Sequence, residues 1–345
     1  MSQLLMFLNN LKTDLKFRED LPNIYPFNQA VNRVDPNFEN PFHIVNKCGT
    51  IADIKKLKST KSFEDICAYK VESLELMAWA YGLPIYIYWS GGIDSTTAVV
   101  SFLKYSRGLG DVHIVCSQES IREYKALWPV IVKNFKGRIH SSFEHVEYYT
   151  SRAIVVTGEH GDQIFGSDLI KKVAERFGEP CIFEPYHNVV PGLLESIFQD
   201  KNRAVSLYER IQPTLAHSEF PIISTFDWVW WYNFTNKWQH VKYRLLLNQT
   251  WKYPRQRFRN IVHFFDDKEF QWWAMNNPDK KIQKSLETYK FTAKEFIVEY
   301  TKHTDYLKKP KVGSLNNLWM NKKIYDGVTT DFEFLTLMEV SKFLR

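Results

Sequence analysis

A short apolar segment followed by a glycine pair constrains this chain more than any other feature. Residues 85–89 read I-Y-I-Y-W, and S-G-G-I-D-S follows at 90–95. A continuous run of aromatic and β-branched residues of this length is typical of a parallel strand buried on both faces. Residues 96–105 then favour a helix. The region therefore predicts a strand, a tight loop and a helix in succession.

The same alternation continues along the next part of the chain. Strand-like runs occur at 113–116, 138–143 and 153–157, and a helical segment lies at 121–135. Strands that alternate with helices predict an α/β fold built on a doubly wound parallel sheet.

The loop at 90–95 has the composition of a phosphate-binding loop. Glycines at the carboxyl end of a parallel strand let phosphates approach the backbone, and the next helix presents free N–H groups. The serine hydroxyls are further donors, Thr96 and Thr97 can cap the helix, and Asp94 is expected to bind Mg²⁺. The loop matches neither the Walker nor the dinucleotide-binding pattern. An ordinary Gly-Gly turn is the alternative interpretation.

A second glycine-rich loop follows the strand-like run at 153–157. It reads G-E-H-G-D-Q-I-F-G at 158–166 and carries two carboxylates, Glu159 and Asp162. Ligands of doubly wound sheets lie across the carboxyl ends of neighbouring strands. We therefore expect this loop to face the first, with Asp94 and Asp162 sharing Mg²⁺ and Glu159 orienting or deprotonating a nucleophile. Alternatively, Asp162 simply lies in the first turn of a helix.

The apolar spacing divides the chain into parts. Residues 62–81 fit an amphipathic helix with Ser62 as its N-cap, and beyond about residue 171 the spacing becomes helical. We predict an N-terminal helical and loop extension at 1–81, a nucleotide-binding α/β core at 82–185, and a mainly helical region at 186–345 that completes the site.

Composition excludes several classes of protein. The formal net charge of +6 is spread over 345 residues without a long basic arm, which suits a phosphorylated ligand and is a weak indication of a nucleic-acid partner. The four cysteines form no C-x-x-C pair, which argues against zinc or iron–sulfur binding. We found no signal peptide and no apolar stretch long enough to span a bilayer. These features predict a cytoplasmic protein without a membrane partner.

Many of the 11 tryptophans lie between Trp228 and Trp273. Such a cluster is more often part of a core than a ligand site, and we favour the core interpretation. Stacking on nucleic-acid bases is the alternative.

The first loop resembles the S-G-G-x-D-S signature of the PP-loop ATP pyrophosphatases, which cleave ATP to AMP and pyrophosphate. The second loop is similar to the G-E-G-[AS]-D-E-[LV]-F-G-G motif of the asparagine synthetase and β-lactam synthetase branch. It departs from that motif at His160, Gln163 and Ser167. The resemblance implies that Asp162 binds Mg²⁺ and that Glu159 acts on the reacting centre.

Weaker matches follow in the same order. H-F-F-D at 263–266 is similar to the family's P-F-L-D segment, Lys290 and Lys294 have its K-x-x-x-R spacing, and K-P-K-V-G at 309–313 resembles R-P-K-x-G. The resemblance implies that Lys290 is the catalytic lysine, opposing charge that develops at the α-phosphate. A solvated helix face is the alternative interpretation of the two lysines.

These considerations give one set of candidate site residues. Glu159 and Lys290 are the catalytic candidates, and Asp94 and Asp162 are the metal ligands. The residues expected to bind ATP are Ser90, Gly91, Gly92, Asp94, Ser95, Thr96, Gly158 and Lys311.

The resemblance implies an ATP-dependent, amide-forming ligase that adenylates a carboxylate and then admits an amine. About 80 residues precede the core, too few for the family's glutaminase-like domain, and Ser2 stands where that domain has its cysteine. We therefore expect ammonia, another amine, or a separate nitrogen donor or glutaminase. The alternative is a nucleic-acid-modifying PP-loop enzyme that adenylates a base oxygen before nitrogen or sulfur transfer. A non-enzymatic ATP-binding relic is a third interpretation. The sequence leaves open the carboxylate, the oligomeric state and the role of residues 1–60.

Overall fold

The computed structural model describes residues 32–34, 48–141, 152–239, 241–242 and 260–308. The strands are β1 (Ile85–Trp89), β2 (Val112–Cys116), β3 (Ile139–Ser141), β4 (Ile154–Thr157) and β5 (Ile261–His263). The α-helices are α1 (Ile51–Lys55), α2 (Phe63–Tyr81), α3 (Ile93–Tyr105), α4 (Gln118–Glu123), α5 (Trp128–Asn134), α6 (Gly161–Phe165), α7 (Leu169–Phe177), α8 (Tyr186–Phe198), α9 (Lys201–Leu215), α10 (Thr225–Asn236), α11 (Lys268–Asn276) and α12 (Phe291–Thr301). Short 3-10 helices include Thr304–Lys308.

The described residues fall into two compact units. The sheet unit contains those within 62–159, 249–266 and 292–345, and the helical unit those within 1–61, 160–248 and 267–291. Each unit draws on three separate stretches of chain. The parts that we predict from the sequence, with boundaries at residues 81 and 185, are instead each one continuous stretch of chain.

The sheet unit is built on five parallel strands in the order β3-β2-β1-β4-β5. β1 is central and pairs with β2 on one side and β4 on the other, so that Ile85 lies opposite both Val112 and Ile154. All four residues of β4 are buried, which explains its continuous apolar sequence. The α/β class, the parallel sheet and strands β1 to β4 are confirmed.

β5 is the strand that the sequence does not predict, because we expect helices throughout the region after residue 171. The strand consists of only Ile261, Val262 and His263. Three residues are too few to show the alternation of apolar and polar residues that predicts a strand. Its strand conformation depends on pairing with β4, where Val155 lies opposite Ile261. The H-F-F-D segment therefore begins at the last residue of a strand.

Local signals fix the ends of α2 as the sequence predicts. The Ser62 side chain accepts a hydrogen bond from the Asp65 N–H, and the Asp65 carboxylate accepts one from the Ser62 N–H. This capping box satisfies two backbone donors at once. The helix ends at Gly82, whose φ of 61° is in the left-handed region that favours glycine.

The helical unit is organised around α10, which packs against α6 and α8. The four tryptophans at positions 228, 230, 231 and 238 are completely buried. Two indole N–H groups are used internally: Trp230 donates to the Gln163 carbonyl (3.0 Å) and Trp231 to the Thr214 hydroxyl (3.1 Å). The core interpretation is confirmed for these four tryptophans, whose indoles offer no face on which a base could stack.

Two further expectations concern thiols and membranes. Cys67 and Cys116 are buried free thiols, and burial raises the pKa of Cys116 to about 12. Among the described residues, no helix combines the length and the apolar character that crossing a bilayer requires.

Candidate nucleotide site

The loop after β1 is held in shape by its own serines. The Ser90 N–H donates to the Ser95 hydroxyl (3.0 Å), which donates to the Gly92 carbonyl (3.1 Å), and the hydroxyls of Ser90 and Ser95 are 2.9 Å apart. These side chains, which we predict to contact phosphate, therefore also tie both ends of the loop together. Hydrogen bonds within the loop therefore support its conformation.

Gly91 is required for two separate reasons. Its φ is 77°, and a Cβ atom there would lie 2.3 Å from the Ser120 carbonyl oxygen and 2.8 Å from the Glu123 Cβ. Residues with a side chain rarely adopt this positive φ. The neighbouring atoms also leave no space for a Cβ atom. The loop thus lies directly against α4, the helix that follows β2.

The threonines do not have the capping role that we predict for them. Gly92 occupies the N-cap of α3 and makes no side-chain hydrogen bond there. Thr96 is completely buried, accepts a hydrogen bond from the Trp89 indole (3.0 Å), and donates its N–H to the Gly92 carbonyl (2.9 Å). Thr97 donates to the Ile93 carbonyl. The capping prediction is wrong because the first turn of α3 buries both side chains. The hydroxyl and the N–H of Thr96 both form hydrogen bonds within the protein.

The two glycine loops meet at the carboxyl edge of the sheet. A Cβ atom on Gly158 would lie 2.5 Å from the Ser95 nitrogen and 2.8 Å from the Asp94 carbonyl carbon. The backbone after β4 therefore packs onto the backbone that starts α3. This contact occurs between β1 and β4, where the order of strand addition reverses, and such a switch point is where open α/β sheets bind ligands.

Glu159 follows this contact and is half-buried. Its N–H donates to the Thr157 hydroxyl (3.3 Å), and that oxygen lies 2.7 Å from Nδ1 of His263. His263 is thus a residue of the H-F-F-D segment that supports the end of β4, a role that the sequence alone does not indicate.

In the helical unit, Asp162 and Lys290 form an ion pair. The Lys290 Nζ lies 2.7 Å from Asp162 Oδ1, with side-chain exposures of 1% and 27%. The Tyr289 hydroxyl lies 3.4 Å from the same oxygen. Lys290 has a φ of 62° and donates its N–H to the Lys281 carbonyl (2.8 Å). A buried cation in a costly backbone conformation is typical of a functional site.

The interpretation of Lys290 and Lys294 as a solvated helix face is wrong. Both residues are buried, at 0% and 2% exposure. Lys294 lies in the sheet unit and donates to the Leu307 carbonyl (3.1 Å). Lys290 is paired with Asp162, a predicted metal ligand, in the helical unit.

Two of the three departures from the G-E-G-[AS]-D-E-[LV]-F-G-G motif, at Gln163 and His160, have structural explanations. Gln163 is buried and donates to the Asn233 side chain (3.0 Å), which itself donates to the carbonyls of Asp162 (3.0 Å) and Gly166 (2.8 Å). A neutral amide suits this interior network. His160 has a φ of 70°, which explains a glycine at this position in the motif. Its ring packs against the Trp238 ring, with centroids 4.3 Å apart and an angle of 34° between the ring planes.

The two predicted metal ligands, Asp94 in the sheet unit and Asp162 in the helical unit, each have the oxygen chemistry that magnesium prefers. Asp94 is half-buried in the first turn of α3, and Asp162 is partly exposed. The part of the chain that the structure describes has no group of three or more His, Cys, Asp or Glu residues arranged for a metal. Mg²⁺ needs no such group, since one or two carboxylates together with substrate phosphates and waters commonly hold it.

The remaining candidate, Lys311, and the K-P-K-V-G segment lie outside the described residues. No family model, curated protein or solved structure matches this chain. The described residues form an α/β fold with a five-stranded, all-parallel sheet.

Proposed function

We propose that this protein is an ATP-dependent, amide-forming ligase of the asparagine synthetase-like type, with an adenine nucleotide alpha hydrolase-like fold around its PP-loop. The observation that carries the proposal is the contact between the two glycine loops at the switch point of the sheet. Gly91 and Gly158 both lack space for a Cβ atom. Bare backbone at the carboxyl ends of β1 and β4 is what a bound polyphosphate requires.

The proposed reaction has two steps. A substrate carboxylate oxygen attacks the α-phosphorus of ATP, the bond to the β-phosphate oxygen breaks, and pyrophosphate leaves. Ammonia or another amine then attacks the acyl carbon, AMP leaves with the bonding electron pair, and the amine loses a proton. Positioning and electrostatic stabilisation dominate the rate of such phosphoryl chemistry.

In this proposal the acidic residues and Lys290 have different roles. Asp94 and Asp162 hold Mg²⁺, which neutralises phosphate charge when bound. Glu159 accepts the proton that the attacking amine loses. Lys290 supplies a fixed cation opposite the charge that develops at the α-phosphate. Its burial supports this role, because a cation shielded from water acts more strongly on a nearby anion.

The alternative, modification of a nucleic-acid base, receives less support. The tryptophans at positions 228, 230, 231 and 238 are buried, so a base would need another stacking surface. The small net charge of +6 also gives no indication of a strong polyanion partner. We therefore propose a small carboxylate as the acceptor, with nitrogen supplied as ammonia, as another amine or by a separate donor protein.

The test is a product analysis. The purified protein is incubated with Mg-ATP, ammonium and a panel of amino acids, other carboxylates and nucleic acids, and the nucleotides are then separated. We expect one carboxylate to stimulate release of AMP and pyrophosphate in equal amounts. The Asp94→Ala variant should lose this release, whereas Glu72→Ala, which removes an exposed acid on α2 paired with Arg107, should retain it.

The other outcomes are equally informative. Production of ADP and phosphate would contradict adenylation. Stimulation by a nucleic acid instead of a carboxylate would favour the alternative function.

A further inference from the structure

Lys290 ends a loop at 281–290, here called the lysine loop, and the residue before it packs against the second glycine loop. A Cβ atom on Gly166 would lie 2.5 Å from Cε2 of Tyr289 and 2.8 Å from its hydroxyl oxygen. Carbon atoms in contact are normally about 3.5 to 4.0 Å apart. The ring is also in edge contact with Phe226, with centroids 6.5 Å apart. The glycine at the end of α6 therefore provides the space in which the Tyr289 ring lies.

The same ring contacts the ion pair of the helical unit. The Lys290 Nζ lies 5.5 Å from the centroid of the Tyr289 ring, which is within the range of cation–π attraction. The Tyr289 hydroxyl is 3.4 Å from Asp162 Oδ1, which is too long for a strong hydrogen bond. The aromatic ring of Tyr289, more than its hydroxyl, is thus the group that acts on Lys290.

The other end of the lysine loop is anchored through Trp230. The Lys281 carbonyl accepts the Lys290 N–H (2.8 Å), which closes the loop. The Lys281 side chain is completely buried, with its Nζ 3.1 Å from the Trp230 ring centroid. The Trp230 indole donates to the carbonyl of Gln163, the residue after Asp162. Both ends of the lysine loop are therefore packed on residues that adjoin Asp162 in the structure or in the chain.

We propose that Tyr289 is a positioning residue for Lys290, acting through the packing of its ring on Gly166. Lys290 has a φ of 62°, and such a conformation persists only where neighbouring contacts hold it. Tyr289 supplies that contact on the N-terminal side of the lysine. The K-x-x-x-R spacing includes Lys290 and omits Tyr289, so no motif in the sequence indicates this role.

The effect on the reaction rests on the proposed function. There, Lys290 opposes the charge that develops at the α-phosphate, and its stabilising effect depends on where its ammonium group lies. A displacement of about 1 Å at a reacting centre can lower the rate about a hundredfold. The position of Lys290 relative to Asp162, however, can be measured without any substrate.

Urea unfolding of the full-length chain provides that measurement. The coupling free energy between Asp162 and Lys290 is obtained from the variants Asp162→Asn and Lys290→Met and their combination, in the unmodified chain and with Tyr289→Ala or Tyr289→Phe added. We expect Tyr289→Ala to reduce the coupling energy to less than about half. Tyr289→Phe should retain it, because the ring still lies on Gly166.

Tyr208→Ala is the matched control. Tyr208 is also a half-buried tyrosine of the helical unit, and its ring packs against Tyr186 and Trp228. Its truncation should lower stability and leave the coupling energy unchanged. If Tyr289→Ala gives no cooperative transition, Tyr289→Leu, which keeps apolar volume without the ring, takes its place and should show the same loss of coupling.

The product analysis adds a kinetic measurement. In Tyr289→Ala, kcat for AMP release should fall about tenfold to a hundredfold while KM for ATP changes less than about twofold, and Tyr289→Phe should restore kcat. A coupling energy in Tyr289→Ala equal to that of the Tyr208→Ala control would overturn the proposal, because Tyr289 would then only fill space. Absence of AMP formation by the unmodified protein would instead remove the proposed function, and the coupling energy would still decide the role of Tyr289.

Discussion

Lys281 illustrates how a single buried charge affects this protein. Its side chain is completely buried, and its Nζ lies 3.1 Å from the centroid of the Trp230 ring. Burial lowers the pKa of Lys281 well below the usual value for lysine, although Asp227 and Asp279 act in the opposite direction. The lysine is therefore held in an environment that disfavours its charged form.

This environment makes stability depend on pH. The unfolded chain binds a proton at Lys281 up to about pH 10.4, whereas the folded chain loses it at lower pH. The free energy of unfolding should therefore rise as pH increases toward that value. Replacing Lys281 with Met should stabilise the protein at pH 7 by about 1 to 3 kcal/mol, and the gain should shrink at pH 9.5.

Urea unfolding at both pH values measures this effect. The control is Lys280→Met, which changes the exposed neighbour and should alter stability little at either pH. An equal effect of both substitutions would show that burial of Lys281 has no special cost.

The pair of Asp162 and Lys290 gives a second prediction at this scale. Asp162→Asn removes the carboxylate that pairs with the buried Lys290 cation, which should lower the free energy of unfolding by about 3 kcal/mol. Adding Lys290→Met should recover much of that loss, because no buried charge then remains. Urea unfolding of the two single variants and the double variant gives the coupling energy. If the losses simply add, the ion pair does not stabilise the fold.

At the scale of elements, the contact between the two glycine loops has little tolerance for change. Gly158→Ala places a Cβ atom 2.5 Å from the Ser95 nitrogen, and backbone cannot yield as a flexible side chain would. We expect a loss of about 2 kcal/mol in stability together with loss of ATP binding. Calorimetry with ATP and thermal melting measure both quantities.

Gly192→Ala in α8 is the control for that change. Its Cβ atom would meet only ordinary contacts at 3.8 Å from Phe177, and alanine in a helix is favoured over glycine by about 0.5 to 1 kcal/mol. It should therefore preserve ATP binding and be neutral or slightly stabilising. Normal ATP binding by Gly158→Ala would contradict the site that we describe.

Neighbouring strands also create an acid-sensitive group. His140 on β3 lies with its Nε2 2.8 Å from Nδ1 of His113 on β2. Burial, and then the charge of His113, lower the pKa of His140 to about 4, against the raising effect of Asp111. The unfolded chain binds this proton near pH 6.5, so the associated stability is present above that pH and is lost as pH falls from about 6.5 to 4.

The prediction is that His140→Gln weakens this acid sensitivity. His140 should account for no more than about 1.4 kcal/mol per pH unit across that window. Unfolding at pH 7, 6, 5 and 4 measures the slope, and His217→Gln serves as a control because this histidine is exposed and belongs to the helical unit. An unchanged slope in His140→Gln would place the acid sensitivity elsewhere.

The sequence predicts elements well where their signal is local. β1 and β4 are continuous apolar runs, and α2 has its capping box and terminal glycine, so each is visible in its own residues. β5 is a strand because β4 pairs with it. The burial of Thr96, the network through Asn233 and the contact of His160 with Trp238 likewise depend on residues far away in the chain, and no local pattern contains them.

At the scale of the whole molecule, the sheet unit should not fold from the contiguous core that the sequence suggests. Residues 82–185 lack α2, β5 and α12, all of which belong to the sheet unit. The fragment would leave the Ile261 side of β4 unpaired and expose the apolar surface that α2 covers. We expect no cooperative unfolding transition in urea, followed by circular dichroism. A sigmoidal transition like that of the full chain would show that the fragment is self-sufficient.

The position of β5 in the chain has a consequence for synthesis. β4 ends at Thr157 and β5 begins at Ile261, so roughly 100 residues must be translated before the second edge of β4 can be paired. At about 5 to 20 residues per second, that interval lasts roughly 5 to 20 s. During this time a nascent chain presents an open, apolar strand edge, the feature most prone to pairing with other chains. Ribosome-bound chaperones would therefore have their greatest effect on yield between these two points of translation.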